Sequence, residues 1–183
     1  MKNTALILVD IQKAFEDKRW GKRNNPDAEE KMRTVLDFFR DRNGEVIHIQ
    51  HMSEDPSSVF YHKGKGFEPK DIVAPLSGEK VITKTVNSAF IGTDLHEYLQ
   101  SKSIQIVVIV GLTTPHCVST TTRMSGNLGY ETYLVQDAVA AYELKDLEGN
   151  NLDPQVIHDL SLATLHDEFA TVLDSDQLID LFS

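Results

Sequence analysis

Four consecutive apolar residues, Val107–Val110, are closed by Gly111 and followed at once by helix-start chemistry, and no other stretch restricts the chain as strongly. A run that is apolar at every position reads as a parallel strand buried on both faces. Such a strand needs helices over both sides and crossovers to reach its neighbours. Thr114 stands where an N-cap belongs, Pro115 suits the first helical position, and Cys117, the one cysteine in the sequence, follows in the first turn. Unpaired backbone N–H groups and the helix dipole favour negative charge there, which pushes a thiol toward thiolate. A lone cysteine is also commonly just a small buried residue. Its place at the carboxyl end of a parallel strand, where open α/β sheets hold their ligands, favours the reactive reading.

The other strands follow the same pattern. Ala5–Val9 is a continuous apolar run ended by Asp10, and Glu45–Gln50 alternates beside it. Lys80–Thr83 is a short strand ended by Lys84, Ile104–Val110 contains the central run, Glu131–Val135 ends at Gln136-Asp137, and Phe169–Leu173 is the last. A helix opens at Pro26 or Asp27, carries Met32, Val35, Leu36 and Phe39 at helical spacing, and stops at Asn43-Gly44. Further helices are expected around Leu95 and Leu99 with Thr93 as cap, after Thr114, over Pro154–His166 and over Asp176–Phe182. Strands alternating with helices predict an α/β protein with a mostly parallel sheet of about six strands and helices on both faces. Right-handed crossovers bring the carboxyl ends of those strands to one edge. Residues 1–183 carry no repeat or linker and are expected to form one domain.

A net charge of −10 argues against a nucleic-acid partner and offers no basic face to an anionic membrane. One cysteine excludes an internal disulfide framework and a cysteine-cluster metal site. The N-terminal MKNTALILVDIQ reads as a strand and not a signal peptide, and no segment reaches the roughly 18 apolar residues of a membrane span, so a cytoplasmic location is expected. The sequence contains neither a Gly-x-Gly-x-x-Gly nor a Gly-Lys-Ser/Thr phosphate loop, and no Gly-x-Ser-x-Gly nucleophile elbow. His48 and His51 lie three apart, so on an extended strand they face opposite sides and do not share one ion.

What remains is Asp10, Lys84 and Cys117, each ending or following a different strand. A carboxylate within reach of a thiol can take its proton, and an ammonium lowers the thiol pKa and keeps the carboxylate charged. That chemistry requires neither a histidine base nor a metal. The aromatics Phe15 and Trp20, together with the long loop of residues 51–79, are placed to wall a pocket or to join the core.

The chain resembles the isochorismatase-like cysteine hydrolases, a family that includes nicotinamidases and N-carbamoylsarcosine amidases. The resemblance is carried by ALILVDIQKAF around Asp10, GEKVITKTVNSAFIGTDL around Lys84, VVIVGLTTPHCVSTTTRMSGNLGY around Cys117, and the VQDAVAAY that follows. It implies a three-layer α/β/α Rossmann-like fold and a catalytic triad of Asp10, Lys84 and Cys117. It also implies an oxyanion hole from the backbone N–H groups of Thr113 and Cys117, and a cis peptide between Leu112 and Thr113. The activity implied is cleavage of a C–N bond in a small amide or ureido compound through a thioester on Cys117. Vinyl-ether hydrolysis of the isochorismatase type, and a non-catalytic thiol used for redox or ligand binding, are the alternatives. Substrate binding is expected of Phe15, Trp20, Gln50, Phe60 and Tyr61. Nicotinamidases supply Asp-x-His-x-x-x-His to a metal, and the matching positions here are His51, Ser53 and Ser57. Serines are poor ligands for a zinc-type ion, so neither a metal nor another cofactor is expected. A small-molecule substrate and a homodimer or homotetramer complete the expectation, because the small residues of the cysteine helix allow close packing within the chain or against a partner.

Overall fold

The computed structural model describes residues 1–183. In chain order the elements are β1 (Thr4–Val9), α1 (Ala28–Asp41), β2 (Glu45–His51), β3 (Lys80–Lys84), α2 (Leu95–Ser101), β4 (Ile106–Leu112), α3 (Ser119–Asn127) and β5 (Glu131–Ala140). A two-stranded hairpin follows, β6 (Leu144–Lys145) and β7 (Asn151–Leu152), then α4 (Pro154–Ala163), β8 (Thr171–Leu173) and α5 (Ser175–Phe182). Six strands form one sheet in the order β3-β2-β1-β4-β5-β8, and every pairing in it is parallel.

The continuous apolar runs are explained by alternation across this sheet. Along β1, Leu6 and Leu8 enter the core beneath α1 and α5, whereas Ala5, Ile7 and Val9 enter the opposite core. Along β4, Val108, Val110 and Leu112 share the first layer, and Val107 and Ile109 share the second. Each such side chain contributes about 1.5–3 kcal/mol on burial, so a polar residue anywhere in either run would open one of two cores. No helix is long and apolar enough to cross a membrane.

Several boundaries differ from the sequence reading. Gly111 does not close the central strand but lies inside β4, at φ 134 and paired beside Val9. A Cβ there would collide with the Val9 carbonyl oxygen, so glycine is required by backbone approach. β5 runs on to Ala140, because its register slips between Ile109 and Gly111 and Asn25 Nδ2 donates to the carbonyls of Gln136 (3.0 Å) and Val139 (2.8 Å). A bulge held by a distant side chain leaves no periodic trace in sequence. β8 begins at Thr171 and not Phe169, α4 stops at Ala163, and Asp94, not Thr93, precedes α2. The hairpin of β6 and β7 was not expected; each strand is only two residues long. The small residues of α3 serve packing within the chain: Thr121, Thr122 and Ser125 are fully buried, and a Cβ on Gly126 would meet the Phe169 carbonyl oxygen at 2.7 Å.

Candidate active site

Asp10 leaves β1 in the left-handed region, φ 52, a conformation aspartate tolerates better than branched residues. Its N–H donates to the Ile49 carbonyl (3.0 Å) and its carbonyl accepts from Gln12 N–H (2.8 Å), which fixes the turn. Lys84 is the last residue of β3 and pairs in register with His51, the last residue of β2. Its side chain is completely buried and crosses the end of β2 toward β1. The ammonium Nζ then lies 2.7 Å from Asp10 Oδ2, 3.0 Å from His51 Nδ1 and 3.3 Å from Cys117 Sγ. Three residues far apart in sequence thus meet at one edge of the sheet, as the strand-end rule requires.

Cys117 does not sit in an ordinary first helical turn. Thr114–Val118 form a π-helical stretch leading into α3, and the residue before it, in extended conformation, is Thr113 and not Thr114. No side chain caps this stretch; instead Thr114 Oγ1 lies 3.0 Å from Nδ1 of the buried His158 on α4. A wide turn of this type is frequent where a side chain must be re-aimed at a site. The Leu112–Thr113 peptide is cis. The Thr113 N–H has no hydrogen-bond acceptor within the chain, and Thr113 borders the crevice that holds Cys117.

The electrostatics correct one expectation. The helix start and Lys84 do not hold Cys117 as a thiolate: burial, reinforced by the Asp10 charge, pushes the thiol up to about 12, with Lys84 only partly opposing. Burial also raises the Asp10 carboxyl, against the pull of Lys84. One buried cation therefore faces two groups that compete to be its anion, and a single proton is shared between them. Burial and the Asp10 charge both favour the protonated thiol. Asp10 Oδ2 is taken by Lys84, whereas Asp10 Oδ1 is buried with no partner at all. An uncommitted lone pair next to a protonated thiol is what a proton acceptor in waiting requires.

The crevice above the sulfur has a volume of about 240 Å³. Phe15, Trp20 and Phe60 form one wall, with ring centroids 5.0 to 6.2 Å apart. Trp20 is held by its Nε1 donating to the Ala14 carbonyl at 2.8 Å, and Tyr142 backs Phe15 from the core at 6.0 Å. Gln50 and Tyr61 do not reach this crevice. Successive strand residues face opposite sides, and His51 takes the crevice position, so Gln50 turns toward the Phe67 carbonyl (3.4 Å). Tyr61 lies in a separate groove of about 370 Å³ beside Pro56 and Lys65, which Asp10, His51 and Cys117 do not line. Three lining residues were not read as substrate contacts in the sequence: His51, Asn87 and His116. His51 ends its strand just as Lys84 does, and that shared position was the signal available for it.

The metal-site pattern of nicotinamidases does not fit these residues. Ser53 Oγ accepts from Asp55 N–H (3.1 Å) and Ser57 Oγ donates to Asp55 Oδ1 (2.8 Å), so both hydroxyls are engaged within the loop. Asp10, His51 and Cys117 do bring ligand atoms within 4.8 Å of one another. The position between them is already filled by a permanent cation, the Lys84 ammonium. A divalent ion there would face that charge at contact distance.

Comparison with known proteins identifies the family and the fold. Residues 4–177 match the family model of the isochorismatase domain. The chain is 58% identical over 178 residues to an isochorismatase family protein of Bacillus subtilis, YrdC, covering 97% of this chain and 95% of that one. A crystal structure from the isochorismatase family of Chromobacterium violaceum superposes with a TM-score of 0.94 at 36% identity, covering 97% and 92% of the two chains. The crystal structure of N-carbamoylsarcosine amidase from Thermoplasma acidophilum superposes with a TM-score of 0.75 at 26% identity, covering 96% and 98%.

Proposed function

The chain belongs to the isochorismatase family of hydrolases, and on that premise we propose that it cleaves a C–N bond of a small, uncharged amide or ureido compound through a thioester on Cys117, without a metal. The observation that carries this reading is the half-paired Asp10 carboxylate beside the thiol, one oxygen on Lys84 and the other free. As Sγ attacks the carbonyl carbon, the thiol proton passes to Asp10 Oδ1 and the carbonyl π pair moves onto oxygen. The N–H groups of Thr113 and Cys117 receive that oxyanion, a contribution of about 3–4 kcal/mol for one such donor in comparable sites. Collapse breaks the C–N bond, and the departing nitrogen takes the proton from Asp10. Water then adds to the thioester and gives Asp10 a proton, and the second collapse releases the acid and returns that proton to sulfur. Lys84 stays charged throughout and offsets whichever partner is the anion.

That the substrate brings no anionic group to this crevice follows from the lining. Lys84 supplies the cation of the crevice, and its three N–H bonds are committed to Asp10, His51 and Cys117. A carboxylate on the substrate would therefore be desolvated without a partner. The amide chemistry of the Thermoplasma neighbour supports the bond class, and its particular substrate is not carried over. A panel of small neutral amides and ureas, followed by ammonia or amine release, tests the proposal. Turnover is expected to persist in chelator and to vanish in Cys117→Ala. Turnover surviving in Cys117→Ala, or lost to chelator and restored by zinc, would overturn it.

A further inference from the structure

We propose that His51 determines which substrates the crevice accepts, by presenting a fixed, neutral Nε2–H donor to a second acceptor atom beside the scissile carbonyl. The inference rests on the hydrolase reading and deepens it. An ammonium has three N–H bonds and no lone pair, and the three polar atoms nearest Lys84 Nζ are Asp10 Oδ2, Cys117 Sγ and His51 Nδ1. His51 Nδ1 faces that donor at 3.0 Å and must accept from it, so the single ring proton resides on Nε2. Protonating Nδ1 would set two N–H groups head to head and two cations side by side. Burial and the Lys84 charge accordingly lower His51 to about 4, so the ring is neutral across the physiological range.

The ring is also held in place. Gln12, fully buried, accepts from the His51 N–H through Oε1 (2.8 Å) and donates through Nε2 to the His51 carbonyl (3.0 Å). The Phe60 ring packs against the imidazole at 5.1 Å. Nε2 has no partner in the protein and is not sealed from solvent, and His51 lines the crevice with Cys117. A rigid donor next to an aromatic wall selects a flat amide carrying another uncharged lone pair, such as a ring nitrogen or a second carbonyl oxygen. An analogue with C–H in its place leaves the donor desolvated and unpaired. The polar groups nearest the imidazole are Lys84, Asp10 and Cys117, with the Phe60 ring against its face, and none of them is hydrogen-bonded to Nε2.

Two matched probe pairs test this: pyridine-3-carboxamide against benzamide, and pyruvamide against isobutyramide. In long-range 1H–15N spectra of the whole protein, His51 is expected to show a protonated Nε2 and a bare Nδ1 from pH 5 to 8. In Cys117→Ala, an acceptor-bearing probe shifts the Nε2 resonance and its partner lacking the acceptor does not. In the wild type, kcat/KM favours the acceptor-bearing member about tenfold, as one hydrogen bond allows. His51→Phe erases that preference and, because it also removes the acceptor of one Lys84 N–H, lowers kcat/KM for both members, whereas His51→Gln restores part of the preference. A protonated Nδ1, an Nε2 resonance indifferent to both acceptor-bearing probes, or a preference that survives His51→Phe would overturn the assignment. Failure of the wild type to hydrolyse any neutral amide would instead strike the hydrolase reading, and the Nε2 spectra would still decide whether His51 is the donor.

Discussion

Two sets of carboxylates in this protein meet cations away from bulk water, and they are treated in opposite ways. Glu29 and Glu79 fasten the long loop to the body. Both Glu29 oxygens accept from Arg23 and one also takes Lys70, while Glu79 accepts from Arg40, His48 and the Leu76 N–H. Burial resists their ionisation, yet these donors hold each carboxyl down at about 2. Asp10 is more deeply buried and receives one ammonium on one oxygen, and its carboxyl moves up. Saturation makes a carboxylate an anchor, whereas leaving one lone pair empty makes it a base. The difference lies in depth of burial and in donor count, not in residue type.

The largest expected effect breaks the reactive half of this contrast. Asp10→Asn removes the free basic oxygen, and Cys117→Ala removes the nucleophile; either should reduce ammonia release at least about 10³-fold on matched protein. Asp10→Asn separates this mechanism from simple misfolding, because it should move thiol reactivity in the other direction. With the neighbouring anion gone, the thiol falls below its present value of about 12, and alkylation by iodoacetamide at pH 8 accelerates while hydrolysis is lost. Slower alkylation in a folded Asp10→Asn protein would contradict the shared-proton picture. Lys84→Met should act next, costing about 10²-fold or more in kcat, since neither partner then has a counter-charge. A Lys84→Met protein with wild-type turnover would mean that the ammonium is idle.

How much of this the sequence held depends on whether a feature is local. The two central strands were legible because Ala5–Val9 in β1 and Val107–Val110 in β4 are unbroken apolar runs, which two-sided burial demands. Asp10, Lys84 and Cys117 were legible because each ends or follows a strand at its carboxyl end, although β3, which ends in Lys84, is a partly exposed edge strand. The shape of the crevice was less so. Gln50 and His51 are neighbours, and the choice between them turns on which face of β2 looks at Cys117, a matter of one residue in register. The direction of the thiol shift was misjudged for a related reason: the helix start is local and visible, but the burial of the sulfur and the Asp10 anion beside it, more than a hundred residues earlier, arise only in the fold. Tyr142, which backs Phe15, and Asn25, which holds the β5 bulge, likewise act only across the fold.

The anchoring half of the contrast is broken by Glu79→Gln. That change strands Arg40, whose side chain is 15% exposed, and should destabilise by about 1–3 kcal/mol, a modest loss because water still reaches the pair. For a chain of this size such a loss lowers Tm by roughly 2–10 °C. Thermal unfolding would show it, and kcat/KM per folded molecule should be unchanged because Glu79 does not line the crevice.

The smallest effect is the most discriminating, and it is read as a difference across pH. Glu79 is held at about 2 in the fold against an ordinary 4.5, so the unfolded chain binds its proton first as pH falls. Its stabilisation is complete above about pH 4.5 and disappears between there and about pH 2. The Tm gap between wild type and Glu79→Gln should therefore be widest at pH 6–7 and close on acidification through that window. Asp10 carries the opposite sign, because a raised carboxyl gains its proton in the fold before it does in the unfolded chain. Acidification therefore relieves the cost of burying Asp10 while it removes the anchor at Glu79. If the Glu79→Gln gap stayed constant down to the lowest pH at which the protein remains folded, the donors around Glu79 would not be stabilising its charge, and donor count could not be what separates the anchor from the base.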